Sequence, residues 1–314
     1  MSQHIDTLVV YGDSYSSIEP TSKKTNGPLW NEQLAKSWNT ELVSLATPGA
    51  TFCKSNRKNA NWLQKQVESY TSKNGQETVH AMFLGVTDLI ETKGEAKKTE
   101  EWIKCIEDQV TSLCSSNPNS RIIIMGVPAL EFSPYALTHS TTTNYLKQNI
   151  LDFNVALEEK VTDWQEKFEN VQFFDTYLVF SEIFGDPSET KMVNLEEAYW
   201  DTCQGKCAEE MDTYLWWDSV HVTGAGHKAI SNTIQAREFF NIKAIESDSL
   251  ESTDGLISKD YIRVLSWIIL ASIFFMAFYL FRHNRVFVSL KKKIQAKASK
   301  VYPSNRNNHE YALV

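Results

Sequence analysis

The segment LVVYGDSYSS (residues 8–17) places Ser14 just past an apolar run. Far downstream, WWDSVHVTGAGHKAIS (residues 216–231) places Asp218 and His221 three residues apart, ahead of a glycine-rich turn. A hydroxyl, an imidazole and a carboxylate are the parts of a nucleophile, a general base and the acid that orients the base. The short spacing suits them, because one turn can fold the carboxylate back onto the ring. The chemistry of such a set is acyl transfer: attack on a carbonyl, then hydrolysis. Two further stations lie between them. SLATPGAT (44–51) carries Gly49, and FLGVTDL (83–89) carries Gly85, Val86, Thr87 and Asp88.

Each station falls at or just past the end of a candidate structural element. Apolar runs predict strands over 7–11, 41–46, 78–85, 121–127 and 171–177. Amphipathic stretches between them predict helices over 28–38, 57–71, 99–115 and 144–168, with a last helix over 226–240. In the fourth of these, Phe153, Leu157, Val161, Trp164 and Phe168 recur every three or four residues, the pattern of a core-facing stripe. Strand–helix alternation implies a parallel sheet covered on both faces. Ligands bind such sheets beyond the carboxyl ends of the strands, so all four stations can meet at one edge. Gly12 permits a tight turn there. A helix is expected to start near Ser14, its backbone N–H groups facing a developing oxyanion.

With these four blocks in this order, residues 6–240 resemble the GDSL/SGNH hydrolase family, whose blocks supply a Ser, a Gly, an Asn and a His. The wording WWD-x-x-HVT is similar to its fungal and plant branch of acetylesterases and lipase-like acylhydrolases. The resemblance implies a flavodoxin-like three-layer α/β/α sandwich with a five-stranded parallel sheet, and hydrolysis of esters or amide-linked acyl groups without metal or cofactor. It makes Ser14 the nucleophile, His221 the base and Asp218 its partner, with the N–H groups of Ser14 and Gly49 in the oxyanion hole. The third donor departs from the pattern: the family's Gly-x-Asn-Asp is Gly85-Val86-Thr87-Asp88 here. Thr87 offers one hydroxyl donor on a shorter arm. That departure motivates an alternative, a catalytically weak or silent module acting as a membrane-tethered binding protein. Val222 stands where the branch usually has proline. Asp13 and Asp88 are expected to orient loops around the nucleophile. Asp88 and Trp217 are the candidates for substrate contact, and core packing is an equal option for one of Trp216 and Trp217, since neighbours in an extended segment face opposite ways.

Residues 264–281 (VLSWIILASIFFMAFYLF) hold no charge and are bracketed by Arg263 and Arg282. As a helix they reach about 27 Å, close to the hydrocarbon thickness of a bilayer. The chain therefore divides into a hydrolase domain (1–243), an acidic linker (244–262), a transmembrane helix (263–282) and a basic tail (283–314). Residues 282–314 carry eight Lys/Arg against one acidic residue. Either a flexible tail or a basic amphipathic segment touching anionic lipid fits them. The expected setting is a single-pass endomembrane protein, for instance of the endoplasmic reticulum. Its sidedness is open. The five cysteines, the absence of Asn-x-Ser/Thr and an N-terminus without room for a signal peptide lean the domain slightly towards the cytosol. The basic tail and the likeness to secreted esterases lean it towards the lumen. Cys203 and Cys207 do not have zinc spacing. Paired, they imply a lumenal domain; free, a cytosolic one.

Composition bounds the rest. The 314 residues are 42% hydrophobic and 22% charged, enough for a sizeable core. A net charge of −8 argues against a general nucleic-acid binder. Neither metal nor cofactor is expected, and the substrate is expected to be a carbohydrate or lipid ester.

Overall fold

Five short apolar runs build the central sheet: β1 (Thr7–Gly12), β2 (Glu41–Ser44), β3 (Thr78–Phe83), β4 (Arg121–Met125) and β5 (Val171–Phe174). All pair in parallel, in the order β2-β1-β3-β4-β5. That is the doubly wound order of flavodoxin-like sheets. Every residue of β1 and β3 is buried, as a strand covered on both faces must be. The computed structural model describes residues 4–19, 24–71, 75–91, 98–117, 119–187, 190–207 and 209–244. The expected transmembrane helix, the basic tail and the linker from residue 245 onwards lie outside the described residues. Among those described, no helix is long and apolar enough to cross a membrane.

The helices are α1 (Trp30–Trp38), α2 (Leu63–Ser69), α3 (Val86–Glu91), α4 (Thr99–Ser116), α5 (Pro134–Thr138), α6 (Ser140–Gln165), α7 (Thr176–Gly185), α8 (Tyr199–Cys203) and α9 (Gly224–Ala236). One group packs α1 and α7 against α9; the other packs α4 against α2 and α6. These groups form the outer layers. Four residues of the expected α6 stripe are core, with Phe153, Leu157, Val161 and Trp164 at most 2% exposed, whereas Phe168 lies past the end of the helix and is partly buried. Fully burying each such side chain is worth roughly 1.5–3 kcal/mol.

Several expectations are corrected. No helix begins at Ser14; residues 14–16 form a turn, and the first helix starts at Trp30. Competing hydrogen bonds explain this. The Asp13 carboxylate takes the Tyr15 N–H at 3.0 Å and the Asp13 carbonyl takes the Ser16 N–H at 3.2 Å. The Ser16 carbonyl is then claimed by Asn31 Nδ2 and Ser44 Oγ, so no helical ladder can propagate. The helix expected from residue 57 begins only at Leu63, because Thr51 and Trp62 bridge as short parallel segments. The strand expected to reach Tyr177 ends at Phe174, where Asp175 caps α7 by accepting the Leu178 N–H at 2.9 Å. A second small sheet, β6 (Asn194–Ala198) with β7 (Tyr214–Trp216), has no counterpart in the sequence reading. The cysteines also pair: Cys53 with Cys105 and Cys203 with Cys207, leaving Cys114 buried and free.

Candidate active site

The order β2-β1-β3 means that the chain leaves β1 in one direction and returns to its other side at β3. The crevice of such a sheet opens where the winding reverses, beyond β1 and β3. Ser14 follows β1 by two residues, and Gly85 to Asp88 follow β3. Gly12 closes β1 where nothing larger fits. A methyl there would lie 2.7 Å from Ser16 Cβ and 2.9 Å from the Phe83 carbonyl. Gln66, buried on α2, grips this glycine at both ends: Oε1 accepts its N–H at 2.8 Å and Nε2 donates to its carbonyl at 2.9 Å. The Ser14 turn thus hangs from a strand end fixed by a side chain 54 residues away.

Asp218 and His221 arrive on a tight loop between β7 and α9. Trp216 bridges Val222, and the Trp217 N–H donates to the His221 carbonyl at 2.7 Å. Asp218 Oδ1 accepts the backbone N–H groups of Val220 at 3.0 Å and His221 at 2.9 Å. Both carboxylate oxygens lie 2.8 Å from His221 Nδ1. With Nδ1–H donating its hydrogen bond to the Asp218 carboxylate, Nε2 is left as an acceptor, and it lies 2.9 Å from Ser14 Oγ. The loop is tied from outside as well: Tyr135 N–H donates to the Ser219 carbonyl and the Tyr15 hydroxyl to that of Val220. Thr223 then caps α9, accepting the Gly226 N–H and donating to the Tyr214 carbonyl. Burial raises the Asp218 carboxyl. The hydrogen bond and charge of His221, with the two backbone N–H groups, outweigh it and hold the pKa below the usual value. The acid is therefore a carboxylate wherever the fold persists at ordinary pH.

The other predicted residues are tied to this pair unevenly. Gly49 sits at φ +73° in a turn closed by the Ala50 N–H on the Thr47 carbonyl. Thr47 in turn donates its N–H to the Gly12 carbonyl at 3.1 Å, joining the second block to the first. Thr87 is half-buried in the first turn of α3. Its backbone N–H and that of Val86 lower the pKa of the buried Asp13 carboxyl. Burial pushes Asp13 up to about 6, while the Tyr15 N–H, the charge of His221 and the Thr87 and Val86 N–H groups pull the other way. Asp88 is buried, with its carboxylate on the Phe52 N–H at 3.2 and 3.3 Å. It holds the segment after β2. Trp216 is core, its indole N–H on the Leu195 carbonyl. Trp217 is half-buried and stacks on Trp200 at 5.3 Å between ring centres. Among the described residues, no group of three or more His, Cys, Asp or Glu could hold a metal.

Residues 8–234 match the model of the GDSL-like lipase/acylhydrolase family. The chain belongs to that family. Membership makes it a carboxylic ester hydrolase. No curated protein matches the hydrolase. Among solved structures it is similar to a lipolytic G-D-S-L protein from Veillonella parvula, at 13% identity over 75% of this chain and 98% of that one, TM-score 0.43. It is also similar to phospholipase A1 from Streptomyces albidoflavus, at 13% identity over 73% and 99%, TM-score 0.42. A third is the acetyl xylan esterase AlAXEase, at 12% identity over 74% and 98%, TM-score 0.46.

Sequence reasoning missed Gln66 and Tyr15. Gln66 gave no local signal: Gln64 and Gln66 both lie between Leu63 and Val67, and only folding shows which is buried. Tyr15 carried none, because its bond to the Val220 carbonyl joins residues that only folding brings together.

Proposed function

We propose that this hydrolase is a membrane-anchored serine esterase in which Ser14 attacks the ester carbonyl. His221 Nε2 takes the hydroxyl proton as the Oγ–carbon bond forms. Asp218 stabilises the resulting imidazolium without itself being protonated. The oxyanion of the tetrahedral intermediate is held by the N–H groups of Ser14 and Gly49 and by the Thr87 hydroxyl. Collapse breaks the bond to the alkoxide, which leaves with the proton from His221. Water, deprotonated by the same imidazole, then frees the acid and regenerates Ser14. One observation carries this reading: a single imidazole within 2.9 Å of a serine hydroxyl on one nitrogen and 2.8 Å of a carboxylate on the other.

A fluorophosphonate probe tests it. The full-length protein should label at Ser14, and Ser14→Ala and His221→Ala should abolish labelling with the thermal midpoint little changed. Folded wild-type protein that stays unlabelled and leaves short acyl esters intact favours the silent binding module, the reading that Thr87 motivates.

The acyl donor is an acetylated carbohydrate or a lipid ester. The anchor is the 264–281 segment, with anionic lipid at the basic tail. Two disulfides favour an oxidising compartment, and a basic tail favours the cytosolic side for residues 282–314. Together they support a lumenal domain over the cytosolic one to which the cysteine count leaned. Protease protection in sealed membranes reads this directly: the domain should survive and the tail should be clipped.

A further inference from the structure

A cleft of about 430 Å³ opens between the segment after β2 and the start of α4. Lys54, Ser55 and Asn56 line one side; Lys98, Glu101 and Trp102 line the other. Three ties hold it in shape. The Cys53–Cys105 disulfide cross-links its two walls, with the Cα atoms 5.6 Å apart. Asp88, also in the lining, anchors the Phe52 N–H beside Cys53. Arg57 and Glu91 form an ion pair at its rim. Walls fixed in advance are what a binding site requires, since ordering them on binding costs affinity.

The lining states what would fit. It presents hydroxyl, amide, ammonium and carboxylate groups, donors and acceptors both, with one indole among them. A fatty acyl chain would strip water from these groups and return no hydrogen bonds. Vicinal hydroxyls satisfy donors and acceptors at once. Glu91 is held by Arg57, so Glu101 stands beside Lys54 and Lys98 as the remaining acidic side chain of the described lining, an acceptor that a hydroxyl can use and a phosphate cannot. Asp88 adds little negative charge, because burial raises its carboxyl to about 8. The lining is linked to the proposed chemistry along the chain: Thr51 is two residues past Gly49, and Asp88 is the neighbour of Thr87.

We infer that this cleft is the subsite for the sugar or polyol portion of an acylated-carbohydrate substrate. The inference rests on the serine-esterase reading above. It commits the hydrolase to carbohydrate esters with the small acyl group at Ser14 and the alcohol portion between residues 51–56 and 98–102.

The test compares two acetyl esters on full-length protein: mono-O-acetylated xylobiose, whose sugar is the portion assigned to the cleft, and 4-nitrophenyl acetate, which has no polyol to place there. The variants are Asn56→Ala and Glu101→Gln, both at exposed side chains. The ratio of kcat/KM for the sugar ester to that for the nitrophenyl ester should fall about tenfold in each variant, chiefly through KM. That is the scale of one lost hydrogen bond. An unchanged ratio overturns the inference and leaves the esterase standing. So does a loss confined to lysophosphatidylcholine, which would give the cleft to a lipid headgroup. A wild type that hydrolyses neither ester overturns the Ser14 assignment, and this inference with it.

Discussion

Asp218 does two jobs with one carboxylate. Oδ1 fastens the backbone of its own loop, and both oxygens face the imidazole. Asp218→Asn separates these jobs. An amide oxygen can still accept the Val220 and His221 N–H groups, so the loop should keep its shape. The amide nitrogen, however, offers a proton to Nδ1 and favours the tautomer with hydrogen on Nε2. That nitrogen can no longer accept from Ser14. We expect kcat to fall by roughly 10⁴, the scale of this swap in serine proteases, with the thermal midpoint shifted by only a few degrees. An equal collapse of both would make Asp218 a structural residue. Thr87 poses the complementary question. Thr87→Val keeps its shape and removes the hydroxyl. If that hydroxyl completes the oxyanion hole, kcat should fall by about 10²-fold, the lower bound for one lost donor, with KM unchanged. Unaltered kcat would remove Thr87 from the hole. Ser14, Asp218 and His221, which the structure brings within hydrogen-bond reach of one another, stood out in the sequence because each lies in a short motif at the end of an apolar run, although the turn at Ser14 was not foreseen. Gln66 did not stand out, since nothing local distinguishes a glutamine that grips a distant glycine from one that faces water.

At the scale of elements, the two disulfides differ in what they close. Cys53–Cys105 spans 52 residues and joins the segment after β2 to α4; Cys203–Cys207 closes a loop only four residues apart. Loop-closure entropy puts the first at about 4 kcal/mol and the second at about 2 kcal/mol. Cys53→Ser/Cys105→Ser should therefore lower the urea midpoint about twice as far as Cys203→Ser/Cys207→Ser. A reversed order would show that native packing, and not chain entropy, sets their worth. The elements themselves were unevenly legible. Strands β1, β3 and β4 are mainly apolar or β-branched runs, broken only by His80 in β3 and opened by Arg121 in β4, and reading them needs no partner. Helix α7 was hidden because TYLVFSEIFG is apolar on most sides and follows β5 through one capping residue, so its start read as more strand. Helix α3 is six residues long and begins straight after Gly85. That glycine holds φ +114° with Val127 and Phe52 packed against it, and glycine alone suggests a loop. The β6–β7 pair was invisible because its parallel pairing, Asn194 to Tyr214 and Ala198 to Trp216, is non-local and β6 bears two exposed glutamates.

Across the whole molecule, the buried ionisable groups set how stability answers to pH. His80 lies in β3 with Nδ1 at 3.0 Å from the Tyr11 hydroxyl, and burial lowers its pKa from 6.5 to about 4. As pH falls below 6.5 the unfolded chain gains a proton that the folded chain refuses, so stability declines towards pH 4. The carboxyls behave oppositely. Burial raises Asp13 to about 6 and Asp88 to about 8, so the folded chain retains protons that the unfolded chain has lost near pH 4. Their contribution is lost as pH rises. Below pH 6.5 the histidine and carboxyl slopes oppose each other. Between pH 6.5 and 8 Asp88 is the member of this set that titrates most. The groups acting on it are the Phe52 N–H, which lowers its pKa, and the charges of Asp13 and Glu91, which raise it. One proton held by the folded state alone costs about 1.4 kcal/mol per pH unit at most. The wild-type thermal midpoint should therefore fall steadily from pH 6.5 to 8. Asp88→Asn keeps an oxygen for the Phe52 N–H but cannot ionise, so its midpoint should be nearly flat over that interval and should overtake the wild type near its upper end. Thermal unfolding of both proteins at half-unit steps measures this. Parallel slopes would mean that the Asp88 carboxyl is already ionised in the folded state, and its hold on the segment beside Gly49 would then be that of a charge on a backbone N–H.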